Sequence, residues 1–273
     1  MSLSAAGRSE VTKQFSTSMW WILAIVLVAY VGFTATVLAF VFSAAASGSL
    51  GDQAPPLPAE GLSATLYSSA TSVGYVFPLL IGTLMVTSEF RHKTLTPTFL
   101  ATPRRGIVLS AKILVGIGMG VLFGVIGILA SVVPSAALLV GYGLETDFGS
   151  SDTWALFGRM LLAFVLWVII GIGVGALVRN QVGAIVGVLV FTQFLEPVGR
   201  AAAAFVEGLS NATRFLPGAA SDALVGASLF NAPAVSGSGA DPLAWWAGGL
   251  VLLAYGVVLV LLGRLTSWRR DVS

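Results

Sequence analysis

The chain has few charged residues, one histidine and no cysteine. Only 10% of its 273 residues are Asp, Glu, Lys or Arg, against roughly 25% in a soluble domain. Since 56% are hydrophobic, this balance excludes an ordinary soluble protein and indicates an integral membrane protein. Without cysteine, disulfides, thiolate metal sites and a cysteine nucleophile are excluded. The lone imidazole of His92 cannot form a metal site built on a histidine pair.

Motifs for nucleotide chemistry are also missing. The sequence contains no Gly-x-x-x-x-Gly-Lys-Ser/Thr phosphate loop, so we expect the chain not to hydrolyse nucleotide and to bind no cofactor itself. A net charge of +2 is too small to indicate nucleic-acid binding. Paired carboxylates or histidines at one membrane depth are absent from the sequence, which argues against an intramembrane enzyme. No catalytic residue and no metal site is predicted.

Long apolar runs predict an all-α polytopic membrane protein with six transmembrane helices. A helix needs about 20 apolar residues to cross a bilayer. The runs are 20–42, 67–87, 107–140, 154–178, 182–194 with a few further residues, and 245–262. The third run is too long for one straight crossing, and Pro134 inside it predicts that the helix ends or kinks there. The first run is longer than a signal-peptide core and reads as a retained span.

The distribution of basic residues predicts that both termini are cytoplasmic. In that topology eleven of the fourteen Lys and Arg residues lie in inside segments. Only Arg159, Arg200 and Arg214 are left on the outside or near it. Such a bias toward the cytoplasm is the usual determinant of orientation.

Two segments outside the spans are expected to form additional structure. Residues 1–18 include Arg8, Glu10, Lys13 and Phe15, which favours a short helix along the cytoplasmic surface, with a frayed terminus as the alternative. Residues 200–243 are semi-apolar, which favours a re-entrant helix or a helical hairpin on the outer side over an ordinary folded loop.

Glycines recur at helical spacing in two of the predicted spans. Gly116, Gly120 and Gly124 lie on one helix face, as do Gly171 and Gly175. Small residues at this spacing permit close helix approach in membranes. We therefore predict helix packing at these positions rather than ligand binding.

Charged residues near the membrane are candidates for function, because burying a charge is costly. Glu89, Arg159, Glu196 and Arg200 are in this position. We expect Glu89 to pair with Arg91, with Lys93 or with a partner subunit. Glu196 and Arg200 are four residues apart and are expected to pair with each other, with a role in a transport pathway or gate as the alternative.

The most polar connection lies between spans two and three, in residues 88–106. Its sequence from Glu89 to Leu100, followed by Ala101 to Arg105 and then Lys112, resembles the same loop in bacterial ATP-binding-cassette permeases of the type-2 exporter class. Further resemblance comes from Gly171 to Gln181 and from Leu216 to Ala220. Lys93 departs from the pattern, since glycine is common there in relatives.

The resemblance implies a function and a set of partners. The chain would be a single permease domain over residues 1–273 in a bacterial plasma membrane, with membrane lipid around it, and would pair with a second permease copy. Two cytoplasmic ATPase subunits would carry ATP and Mg. The loop would dock on them as a coupling helix, which Pro97 predicts to be short or to begin near that residue. The implied coupling residues are Glu89, Phe90, Arg91, His92, Lys93, Thr94, Leu95, Thr96, Pro97, Thr98, Phe99, Leu100, Arg104 and Arg105.

The sequence does not identify a substrate. An apolar pathway suits a drug-like, lipid-like or other amphipathic molecule, but any helix bundle also shows apolar residues to lipid. The alternative function is a membrane anchor or regulatory subunit that recruits a cytoplasmic protein through the same loop without transport.

Overall fold

The structure is a computed structural model that describes residues 2–49, 58–101, 105–178, 180–203, 209–228 and 243–266. Of these residues 85% are helical and none lies in a strand, which confirms the all-α prediction. In chain order the helices are α1 (Leu3–Ser16), α2 (Met19–Ala46), α3 (Leu62–Tyr67), α4 (Ser69–Gly74), α5 (Val76–Arg91), α6 (Leu95–Ala101), α7 (Arg105–Gly141), α8 (Ser151–Leu177), α9 (Gln181–Val190), α10 (Glu196–Ala202), α11 (Leu209–Thr213), α12 (Pro217–Val225) and α13 (Trp245–Thr266).

Six helical segments are long and apolar enough to cross a membrane, as predicted. Spans one, three, four and six are the single helices α2, α7, α8 and α13. Span two is Leu62–Arg91 and contains α3 to α5, and span five is Gln181–Ala202. A π-helical turn, Phe191–Leu195, separates α9 from α10 within span five.

Span three does not end at Pro134. Helix α7 runs through this residue to Gly141, so of the two expected outcomes, an end or a kink, the end does not occur and the kink stays a prediction. A proline inside a helix removes one N–H and leaves the carbonyl four residues earlier without its usual donor. That carbonyl belongs to Ala130 and lies beside Gly32 of span one. A Cβ built on Gly32 would be 3.6 Å from Ala130 O. The neighbouring helix therefore covers the interruption.

Span two forms the centre of the bundle. In its most apolar stretch 94% of the residues are buried, against 22% in spans five and six. Gly82 of span two and Gly171 of span four face the backbone of the opposite helix, near Val168 and Leu79. A side chain at either glycine would collide with a backbone carbonyl, so the two spans are held at close distance.

Residues outside the spans also form helices. The N-terminal segment forms α1, and the side chain of Ser2 caps it by accepting from the backbone N–H of Ala5. The structure thus favours the helix over the frayed terminus. In the described part of 200–243, α11 and the buried α12 are helical. Whether α12 is re-entrant stays a prediction.

Candidate functional site

The connection between spans two and three contains the short helix α6. Helix α5 ends in a Schellman motif, in which the N–H of Thr94 donates to Glu89 O at 3.0 Å and the N–H of Lys93 donates to Phe90 O at 3.3 Å. This motif needs a left-handed residue, and Lys93 adopts it with a φ of 54°. A glycine would take that conformation without the cost that a side chain brings. Lys93 therefore makes the tight turn that leads into α6.

Pro97 occupies the first turn of α6. The helix begins at Leu95, two residues before the proline. The N–H groups of a first helical turn have no acceptor within the helix, so the missing N–H of Pro97 leaves the helix intact. Its seven residues match the predicted short coupling helix in length.

Four buried or half-buried charges, which we name the four-charge cluster, lie beside this connection: Glu10, Lys13, Glu89 and Lys112. The ammonium of Lys112 lies 2.7 Å from Glu10 Oε2 and 3.1 Å from Glu89 Oε1. The ammonium of Lys13 lies 2.7 Å from Glu10 Oε1 and 2.8 Å from Glu89 Oε1. Two cations thus alternate with two carboxylates, and the formal charges cancel.

Burial distinguishes this cluster from a surface ion pair. The side chain of Lys112 is 1% exposed, and those of Glu10 and Glu89 are each 6% exposed. Lys112 also donates to the backbone carbonyl of Met85 at 3.1 Å. Charges so far from solvent persist only when they are paired, so each member depends on the others.

The cluster joins four separate parts of the chain. It takes Glu10 and Lys13 from α1, Glu89 from span two and Lys112 from span three. Thr98 of α6 adds its hydroxyl, 3.4 Å from the Lys13 ammonium. Helix α1, the two spans and the connecting helix therefore all contact the same polar cluster.

Electrostatics within the cluster favour the charged forms of both α1 residues. Burial by itself would raise the pKa of Glu10, but Lys112 and Lys13 lower it below its ordinary value of 4.5. Burial would lower the pKa of Lys13, but Glu10 and Glu89 raise it above 10.5. Both groups are therefore ionised at neutral pH.

The two partners predicted for Glu89 within the chain were wrong, and pairing with a partner subunit stays a prediction. Its carboxylate pairs with Lys13 and Lys112 rather than with Arg91 or Lys93, both of which are exposed. Residues close in sequence lose this competition because the C-terminal turn of α5 aims Glu89 into the bundle. Sequence reasoning missed Glu10 and Lys13 as site residues, although their spacing of three on a polar helix face was a signal for a local ion pair.

The remaining residues of the connection divide into a packed and an exposed side. Phe99 packs against the core, and the Arg105 guanidinium lies 5.0 Å from the centre of its ring. Leu100 is 78% exposed, the highest value among the described large apolar side chains. His92 is exposed, and its Nδ1 lies 2.8 Å from Ser88 O. Arg104 lies outside the described residues, as do the side chains of Leu95 and Thr96.

A second group of charges, which we name the distal cluster, consists of Glu196, Arg200 and Asp222. Arg200 Nη2 lies 2.6 Å from Asp222 Oδ2, a partner that was not predicted. The expected partner Glu196 lies near enough to be attracted electrostatically by Arg200. Glu196 Oε1 instead accepts from the backbone N–H of Ala219 at 3.1 Å, in the first turn of α12. A carboxylate is stabilised there by the unpaired N–H groups and the helix dipole.

The distal cluster is deeply buried. Glu196 is 2% exposed and Asp222 is 3% exposed. Burial raises the pKa of Asp222 above its ordinary value of 3.8, although Arg200, Ser228 and Ser72 act in the opposite direction. Glu196 Oε2 has no hydrogen-bond partner among the described residues. A buried carboxylate oxygen in this state is costly, which marks Glu196 as a functional candidate.

Aromatic residues hold α12 in place beside this cluster. Trp167 of span four donates from Nε1 to Ser221 Oγ at 3.1 Å. Its ring stacks on Tyr75 of span two, with the ring centres 4.6 Å apart. Tyr75 donates its hydroxyl to Thr192 O, in the π-helical turn, at 3.0 Å. Spans two, four and five thus meet at α12.

The predicted packing glycines lie at helix contacts. An added Cβ at Gly116 would lie 2.6 Å from Ile172 Cδ1, and one at Gly120 would lie 2.7 Å from Val165 Cα. The corresponding distances are 3.3 Å from Gly124 to Phe164 Cβ and 2.6 Å from Gly175 to Thr83 O. Gly116, Gly120 and Gly124 therefore face span four, and Gly171 and Gly175 face span two.

Comparison with known proteins adds no relative. Neither the family models nor the curated proteins contain a match to this chain. Within the described residues, no group of three or more His, Asp or Glu side chains is placed to hold a metal ion. The fold and the site define a class: an all-α membrane protein with six spans, in which the four-charge cluster lies beside the connection between spans two and three.

Proposed function

We propose that this chain is the permease subunit of an ATP-driven exporter of the ATP-binding-cassette type-2 class, in a bacterial plasma membrane. The observation that carries the proposal is the connection of α6 to the four-charge cluster. Because the cluster joins α6 to α1 and to spans two and three, a force on α6 would reach these elements through ion pairs and backbone. This is the property that an energy-coupling element requires.

The energy would come from a partner, since the sequence has no phosphate loop. Two cytoplasmic ATPase subunits carrying ATP and Mg would dock beneath a pair of permease chains. Leu100 of α6 is exposed and would be available for contact with the ATPase. Arg91 and Lys93 are exposed nearby and would pair with carboxylates of the ATPase.

The distal cluster would close the far end of the pathway. Seventeen residues separate Ser72, which contacts Asp222, from Glu89 in the four-charge cluster, so the two clusters lie roughly 25 Å apart along span two. Movement of span two would therefore act on both. An amphipathic substrate fits the apolar bundle, and no narrower substrate class is proposed.

The test is ATP hydrolysis by the complex purified in lipid. In one variant Thr94 to Phe99 are replaced by Gly and Ser, and in a second Leu100→Ser removes only the exposed apolar side chain. We expect the ATPase to bind nucleotide but to lose stimulation by the membrane chain in the first variant, and in part in the second. A matched control replaces residues 52–57, in the connection after span one, and should retain stimulation.

Two results would contradict the proposal. One is that no ATPase copurifies with the intact chain, and the other is that stimulation is unchanged by both loop variants. Either result would favour a membrane anchor or regulatory subunit that recruits a different cytoplasmic protein. A neighbouring gene for an ATPase with a phosphate loop would favour transport.

A further inference from the structure

An apolar groove separates α1 from span three. It has a volume of about 640 Å³ and is lined by one face of α1 and by residues Leu114 to Leu122 of α7. On α1 the lining includes Gly7, Val11 and Phe15, which are spaced by four residues and so share one face. Glu10, in the four-charge cluster, lies about 100° around the helix from Val11, since successive residues are offset by about that angle. Helix α1 thus has a charged side toward the bundle and an apolar side toward the groove.

Two glycines keep the groove open. An added Cβ at Gly7 or at Gly118 meets no atom within 4 Å. The neighbouring Gly116 and Gly120 differ, because an added Cβ at either one would be pressed against span four. Close helix packing therefore explains those two glycines but leaves Gly118 unexplained. A side chain at Gly118 would project into the groove and fill it.

The direction of the groove matches that of a lipid chain. Its wall on α7 extends from Leu114 to Leu122, a distance of about 12 Å along the helix. One leaflet of the hydrocarbon core is about 15 Å thick. The wall begins two residues after Lys112, at the level of the four-charge cluster, and continues into the apolar part of span three. A molecule in the groove would have its polar end near Arg8 and its apolar part along Leu114 to Leu122.

A cation lies at the polar end. Arg8 is among the lining residues and is exposed, and no ion pair is assigned to it within the described part of the chain. A guanidinium matches a phosphate group in charge and in hydrogen-bond geometry. Basic pockets beside transmembrane helices at a membrane surface are typical sites for anionic lipid headgroups.

We propose that this groove binds one anionic phospholipid, with an acyl chain along Gly118 and the headgroup phosphate on Arg8. The lipid would occupy the groove between α1 and span three, next to the four-charge cluster. It would thereby hold α1 against the bundle from its apolar face. The proposal does not depend on transport or on an ATPase partner.

The test measures lipid retained by the full chain. Protein purified in detergent is titrated with phosphatidylglycerol or with phosphatidylcholine, and bound lipid is counted by native mass spectrometry. Gly118→Leu should abolish one tightly bound phosphatidylglycerol. Gly187→Leu is the matched control, because Gly187 is an exposed glycine in span five with equal space around it, and it should leave that lipid in place.

Arg8→Gln tests the headgroup contact separately from the fold, since Arg8 is exposed. We expect the preference for phosphatidylglycerol over phosphatidylcholine to fall about fivefold. The proposal is overturned if both lipids bind equally to the unchanged chain, or if Gly118→Leu and Gly187→Leu retain the same lipid. It is also overturned if a second copy fills the groove, so that Gly118→Leu converts a lipid-free dimer into a monomer.

Discussion

The two charged clusters solve the same problem, a charge buried in an apolar bundle, in different ways. The four-charge cluster balances two carboxylates with two ammonium groups, all from side chains. The distal cluster has two carboxylates and one guanidinium, and it depends on the first turn of α12 and on hydroxyl groups for the rest. The first arrangement fixes four elements together and has balanced charges, whereas the second has one carboxylate in excess. Each cluster leaves one buried carboxylate oxygen without a hydrogen bond among the described residues, Glu89 Oε2 in the first and Glu196 Oε2 in the second.

This difference indicates which cluster is structural and which can change. A balanced set of ion pairs loses a great deal when one member is removed. A cluster with an excess of carboxylate can gain a proton or a cation at little cost. We therefore expect the four-charge cluster to behave as a fixed clamp, and the distal cluster to respond more to its conditions.

The largest effect should follow removal of Lys112. Lys112→Met leaves Glu10 and Glu89 buried with one cation instead of two, and we expect a loss of about 3–5 kcal/mol in the free energy of unfolding. Thermal unfolding in detergent measures it. Arg91→Met, which removes an exposed cation of the same connection, is the control and should change stability little.

A double variant tests whether the loss of stability comes from the unbalanced charge. Adding Glu10→Gln to Lys112→Met restores the charge balance and should recover part of the loss. If Lys112→Met is no worse than Arg91→Met, the cluster is not a clamp.

Removal of Arg200 should have a smaller effect. Its side chain is 19% exposed, and Asp222 keeps the hydroxyl of Ser72 at 3.4 Å. We expect Arg200→Met to cost about 2 kcal/mol. Combining it with Asp222→Asn should recover most of that loss. Equal losses for Arg200→Met and Lys112→Met would remove the contrast between the clusters.

The turns that end α5 and α12 can be compared by substitution, and we expect each substitution to change the free energy of unfolding by about 1 kcal/mol. Both helices are followed by a left-handed residue, which is Lys93 after α5 and Gly226, with a φ of 84°, after α12. A non-glycine residue in this conformation costs about 1–2 kcal/mol. Lys93→Gly should therefore stabilise the chain and Gly226→Ala should destabilise it. Unfolding temperatures that move in the same direction for both variants would contradict the assigned turn geometry.

The smallest effect is the pH dependence of stability, and its sign should differ between the clusters. Since the pKa of Glu10 is lowered, its contribution is complete above pH 4.5 and is lost as the pH falls through the lowered value. Lys13 adds stability below pH 10.5 that is lost as the pH rises through its raised pKa. The raised pKa of Asp222 acts in reverse, so that stability increases as the pH falls through that value toward 3.8.

Thermal unfolding between about pH 3 and pH 8 separates these contributions. Glu10→Gln should reduce the loss of stability on the acidic side, and Asp222→Asn should remove the gain. Identical profiles for the two variants would show that neither group titrates as its surroundings indicate.

Features that depend only on residues close together in the sequence could be predicted. Apolar runs of sufficient length located all six spans, and the four-residue spacing of glycines located the face of α7 that meets span four. Of the end or kink expected at Pro134, the end does not occur: α7 continues to Gly141, and Gly32 of span one lies beside the free carbonyl.

Partners of the charged residues could not be predicted. Glu89 has basic residues two and four positions away, yet its partners lie 76 residues before it and 23 after it. Arg200 likewise pairs 22 residues away, although Glu196 is on the same helix turn. Spacing in the sequence shows which charges could pair within one helix. The packing of helices against each other determines which pairs form.

The ion pair between Glu10 and Lys112 also sets an order of assembly during synthesis. The two residues are 102 positions apart, and a ribosome adds about 5–20 residues per second, so about 5–20 s pass between them. Glu89 and Lys112 are separated by only 23 residues and enter as neighbouring ends of a helical hairpin. Helix α1 is translated before both of these spans, yet it can complete its ion pairs only after that hairpin has formed.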